Sequence, residues 1–184
     1  MNKKDLIIYH AIREIASQGF YNAKMHTIAE NAGIAVGTIY RYFRNKEELL
    51  YYIFTVEFDK LIKCLEIIEQ NDGDCLKKFE KFLNIYYSQL SNNPDFVSIV
   101  VRQGMMPIRQ TSAIETMTTP GTKFQNLIEK GQKEGSLNKN INSYFGAFMI
   151  LHMMPLGVFG TGYTSDKELS KNHLFTGILK IMKN

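Results

Sequence analysis

Apolar positions recur along this chain at three- and four-residue spacing, the period of helices buried on one face. Ile8, Ala11, Ile12, Ile15 and Ala16 make one such stripe and predict a helix over Lys3–Gln18, closed by Gly19, with Phe20 packing back. Two short helices follow, Met25–Ala32 and Val36–Phe43, joined by a tight turn at Gly33. Ile28, Ala29, Ala32, Ile34, Ile39 and Tyr42 face inward in this reading, and Ala29 is small where the two helices cross. Asn45 with Glu48 three residues on is a capping signature for a long helix, Lys46–Gln70.

The same reading continues to the C-terminus. Asp74 caps a fifth helix to Leu90 with Phe79, Phe82, Leu83, Tyr86 and Leu90 inward. Pro94 opens a sixth to Met105. Ser112 opens a seventh to about Lys133, which Pro120-Gly121 should break or kink. Asn142 or Ser143 opens an eighth to Val158, kinked at Pro155, and Ser165 opens a ninth to Met182. No stretch alternates with the period of a strand, and no repeat or low-complexity tract interrupts the pattern. The expected fold class is all-α, with residues 1–50 as an N-terminal head and residues 51–184 as a larger helical body. The boundary falls inside the long helix near Tyr51.

Two short helices with a glycine turn are the pattern of a helix-turn-helix, whose second helix enters the major groove. Its outward face is informative. Gly37, Thr38, Tyr40 and Arg41 are small, hydroxylated or cationic, and no acid lies between Glu30 and Glu47. Charge distribution agrees: residues 1–46 hold seven Lys and Arg against three acids, while the rest of the chain holds fifteen of each. The net charge of +4 therefore sits entirely with the candidate DNA-reading unit, as a phosphate footprint requires.

The run AENAGIAVGTIYRYFRNKEELL resembles the TetR (tetracycline-repressor-like) family of one-component transcriptional regulators. The resemblance is specific over Asp5–Tyr51 and architectural beyond it. It implies a DNA head, an effector pocket in the body, and release from DNA when the effector binds. Ala23 and Ala35 depart from the pattern, standing where the family often has a capping Thr and Ser.

The candidate DNA-binding residues are Lys24, His26, Gly37, Thr38, Tyr40, Arg41, Tyr42 and Lys46, with Tyr42 shared between core and backbone and Lys46 a phosphate clamp. In the body, nine Met and twenty-two Phe and Tyr are many for 184 residues. Tyr86, Arg102, Gln103, Met106, Phe124, Phe148 and His152 are the candidate ligand-binding set, Arg102 or His152 orienting a polar end. Phe145, Met149, Leu174, Ile178 and Ile181 lie on stripes with little left to pack against, and are the candidate homodimer interface. Two-fold symmetry matches a palindromic operator.

Catalysis is not expected, since no GxSxG, HExxH or phosphate-loop motif occurs. No cofactor or metal is expected either: the four His do not group with Cys or Asp at ligand spacing, and Cys64 and Cys75 read as idle thiols. The apolar stretch Phe145–Val158 contains His152, Pro155 and two Gly, and reads as too short and interrupted to span a bilayer. With no signal peptide legible at the N-terminus, cytoplasmic residence is the expectation. The reading is a repressor released from DNA by a small apolar or amphipathic effector. The alternative is a helical ligand-binding or interaction protein that never uses its head on an operator.

Overall fold

The computed structural model describes residues 2–70, 73–103, 111–161 and 167–183, with backbone alone at 103, 111–119, 161 and 167–170. Among the described residues the chain is all-α. The helices are α1 (Lys3–Gln18), α2 (Met25–Asn31), α3 (Val36–Tyr42), α4 (Lys46–Glu69), α5 (Cys75–Ser91), α6 (Pro94–Gln103), α7 (Thr111–Glu134), α8 (Ser143–Thr161) and α9 (Lys167–Met182).

The starts of α1, α4, α5 and α8 are fixed by side chains. Asn2 and Asp5 form a reciprocal capping box on α1. Asn45 accepts the Glu48 backbone N–H at 2.7 Å, and the Glu48 carboxylate accepts from the Arg44 backbone N–H at 2.6 Å. Asp74 and Asn142 accept from the amides three residues on, at the starts of α5 and α8. The turn between α2 and α3 depends on Gly33, whose φ of 65° favours a residue without a Cβ.

Two hydrophobic clusters form. The head cluster joins α1, α2 and α3 to the first half of α4, ending at Phe54, and takes Phe96 and Ile99 from α6. The body cluster begins at Leu61 and gathers α5, α7, α8 and the end of α9. Thus α4 and α6 each serve both cores. Phe79, Phe82, Leu83, Tyr86 and Leu90 of α5 are all buried, as their spacing predicts.

Three expectations are corrected. Tyr42 is 41 % exposed, and Phe43, buried just past the end of α3, takes the core place instead, forming a ring contact with Tyr52. Second, α7 passes through Pro120 and Gly121 without a break. Third, the apolar stretch in α8 is longer than the sequence reading allowed: the window Ser143–Gly160 has a mean hydropathy of 1.3, enough by length and composition alone for a membrane span. Only 28 % of that window is buried within the chain, so much of its apolar surface calls for another cover. The capping roles read at Ser112 and Ser165 lie outside the described residues and side chains.

Candidate nucleic-acid interface and interior pocket

The α3 helix presents the face that the sequence singled out. Ile39 is fully buried against the head and anchors the helix, while Gly37, Tyr40, Arg41 and Tyr42 are exposed and Thr38 is half-buried. A Cβ added at Gly37 would meet nothing within 4 Å. The bare backbone there makes no room for any neighbour within the chain. Lys24 and His26 are exposed at the start of α2, where the His26 ring meets the Thr27 hydroxyl at 3.3 Å. Neither α2 nor α3 has a side-chain cap; Lys24 and Ala35 occupy the cap positions.

Lys46 is more engaged than its charge alone suggests. Its ammonium donates to the backbone carbonyls of Tyr21 and Ala23, both at 2.9 Å, and lies 4.8 Å from the centre of the Phe20 ring. It ties the start of α4 to the loop between α1 and α2. That loop also exposes Tyr21 almost completely, at 87 %, a feature the apolar pattern passed over. Lys4 stands over the Tyr52 ring at 3.6 Å and joins the start of α1 to α4.

The body encloses an apolar pocket of about 250 Å³. Phe54 and Phe58 of α4, Tyr86 of α5, Val100 of α6, Pro120 of α7 and Pro155 of α8 contribute to its wall. Phe54 and Phe96 line the pocket and also belong to the head cluster, so one side of the pocket is the head core itself. One polar group in its wall, the Leu151 carbonyl, has a specific partner. Pro155 lies inside α8 and has no N–H for the carbonyl of Leu151, four residues earlier. The Tyr86 hydroxyl donates to that carbonyl at 3.2 Å. Burial pushes the Tyr86 phenol well above its ordinary range, so it keeps its proton.

The candidate ligand set divides. Tyr86 and His152 line the pocket. Phe124 is fully buried in the body core between Phe79 and Phe82. Phe148 is 44 % exposed and stacks on His152, ring centres 3.9 Å apart. Arg102 lines a separate polar cleft of about 650 Å³ between α1 and α6, shared with His10, Arg13, Glu14 and Asp95. There it donates to the Ala16 carbonyl at 3.2 Å and ties α6 to the end of α1. Met106 and the Gln103 side chain lie outside the described residues. Sequence reasoning missed Phe54, Phe58, Leu151 and Pro155. The available signal was a proline within an apolar helical run, which frees one carbonyl at a known position.

Of the candidate interface residues, Phe145 and Ile181 are strongly exposed, Met149 is 39 % exposed, and Leu174 and Ile178 are half-buried. All five line one apolar groove of about 430 Å³ between α8 and α9. Both cysteines are buried thiols, Cys75 pushed up to about 11 by burial and by the nearby Glu134. Among the described residues, no three His, Cys, Asp or Glu group as metal ligands.

The head matches the family described as "Bacterial regulatory proteins, tetR family" over residues 7–53. The chain belongs to the TetR family. As such it is a DNA-binding, ligand-responsive transcriptional regulator, of a family that works as dimers. It is 29 % identical over 179 residues to the fatty acid metabolism regulator protein of Bacillus subtilis (strain 168), covering 96 % of this chain and 91 % of that one. The fold resembles that of the transcriptional regulator FadR from Bacillus subtilis in complex with stearoyl-CoA, with a TM-score of 0.73, 22 % identity and coverage of 96 % and 95 %. It also resembles AibR in complex with isovaleryl coenzyme A and operator DNA, with a TM-score of 0.78, 16 % identity and 98 % of each chain covered.

Proposed function

We propose that this TetR-family protein is a cytoplasmic repressor that binds a palindromic operator as a homodimer and leaves it when an acyl-coenzyme A enters the body. The observation that carries the effector half is the pocket: it is apolar, and two of its wall residues, Phe54 and Phe96, are packed in the head core. A chain filling it presses on the unit that reads DNA. The effector class is supported by the fatty-acid regulator at 29 % identity across nearly the whole chain. The pocket's volume is about 250 Å³. At roughly 30 Å³ per water-sized group, that takes on the order of eight methylenes, a medium chain.

On the DNA side, α3 reads the major groove. Arg41 supplies a guanine-edge contact, Thr38, Tyr40 and Tyr42 contact bases or backbone, and Gly37 lets the backbone come close. Lys24, His26 and Lys46 approach phosphate. The exposed apolar groove between α8 and α9 meets its two-fold copy, which supplies the cover that α8 lacks within one chain.

Release requires the effector to prefer the arrangement whose two α3 helices no longer fit successive grooves. The links available are α4, which runs from pocket to head, and the Arg102–Ala16 bond between α6 and α1. A gel shift with the DNA upstream of the protein's own gene, with and without decanoyl-CoA, tests the proposal. Binding that decanoyl-CoA reverses supports it; binding indifferent to acyl-CoAs of every length removes the effector assignment.

A further inference from the structure

We propose that the pocket selects an acyl chain carrying a hydrogen-bond donor, a hydroxyl group, and that the Leu151 carbonyl receives it. This rests on the pocket being the effector site. The argument is one of remaining hydrogen-bonding capacity. The Leu151 carbonyl lacks its usual helical donor because Pro155 stands four residues on, and it accepts from the Tyr86 hydroxyl instead. A carbonyl oxygen has two lone pairs, so one is left to accept. The Tyr86 oxygen has given its only proton and can now only accept.

His152, half-buried, points the same way. Its Nδ1 lies 2.7 Å from the Phe148 carbonyl oxygen. At that distance two lone pairs would repel, so Nδ1 carries the proton. On a neutral ring Nε2 is then an acceptor. The other residues around the pocket are Phe, Val, Leu and Pro. What the lining offers beyond apolar contact is therefore acceptors.

A saturated chain makes no use of them. A keto oxygen is itself an acceptor and gains a bond only by taking the Tyr86 proton, which strips the Leu151 carbonyl of its partner. A hydroxyl donates without displacing anything. One net hydrogen bond of this kind corresponds to a preference of about fivefold.

Titration calorimetry on the full chain with decanoyl-CoA, its 3-hydroxy and 10-hydroxy derivatives and 3-oxodecanoyl-CoA tests this. At least one hydroxylated chain should bind about fivefold more tightly than decanoyl-CoA, and the 3-oxo chain no more tightly. Pro155→Ala, which returns an N–H to Leu151, should bind decanoyl-CoA but lose the hydroxyl preference. Tyr86→Phe, which removes the competing donor, should keep or enlarge it. Hydroxylated chains binding no better than decanoyl-CoA, a 3-oxo chain gaining as much as they do, or a preference that survives Pro155→Ala or vanishes in Tyr86→Phe would each overturn the inference and leave the acyl pocket standing. Failure of all four compounds to bind would overturn both.

Discussion

Replacing Lys46 by Met separates two roles that its position combines. The substitution keeps an unbranched stem of similar length beside Phe20, with a thioether sulfur at the δ position, and removes the ammonium. Two bonds are lost, both 2.9 Å long, to the carbonyls of Tyr21 and Ala23. Tyr21 is exposed, so water replaces the lysine there at little cost. Ala23 is buried, and its bond to a charged donor counts more fully, so the total is about 2 kcal/mol. For a chain of this size that lowers Tm by about 4–8 °C. Thermal unfolding by circular dichroism measures the shift. The salt dependence of operator binding, measured on the same variant below its transition, should also fall by about one unit if the ammonium neutralises one phosphate. An unchanged Tm with a reduced salt slope would refute the structural reasoning and leave Lys46 as a phosphate ligand alone. An unchanged salt slope would remove the phosphate role.

Three further outcomes are expected. Arg41→Ala should lose about 1–3 kcal/mol of discrimination at one base pair, read by binding to a set of singly substituted operators; equal preference across the set in both proteins would exclude the contact. Ile178→Glu places a charge in the groove between α8 and α9 and should abolish dimerisation and operator binding together, checked by sedimentation at micromolar concentration, where a stable dimer would count against this surface. Tyr86→Phe leaves the Leu151 carbonyl without its donor. That change should destabilise the protein by about 1–2 kcal/mol in urea unfolding, an effect absent if water reaches the oxygen freely.

The helices and the exposed face of α3 were legible in the sequence because both depend on local order. Apolar spacing sets which residues of α5 turn inward and most of those in α1, where Ile7 rather than Ile8 is the fully buried residue, and Gly33 marks its turn by the one backbone conformation that needs it. The swap of Tyr42 for Phe43 was not legible, because both are aromatic at the end of a short helix and only the packing against Tyr52 decides between them. The pocket was harder still. Tyr86 and His152 stood out as polar groups in apolar runs, but Arg102, chosen on the same ground, turns away from the pocket and bonds α1. Which face of α6 meets α1 depends on how distant helices pack, and a periodic pattern carries no record of that. Likewise nothing in the spacing singles out Phe54, and only the fold reveals that it belongs to the head cluster and the pocket wall together.

The central claim is that one molecule couples an acyl pocket to a DNA-reading head. Fluorescence anisotropy on a labelled duplex from upstream of the protein's own gene tests it directly, titrated with protein in the absence and presence of saturating decanoyl-CoA. The account predicts specific binding that weakens about tenfold or more when the acyl-CoA is present. Affinity that is the same in both titrations, with the acyl-CoA shown by calorimetry to be bound, would contradict it.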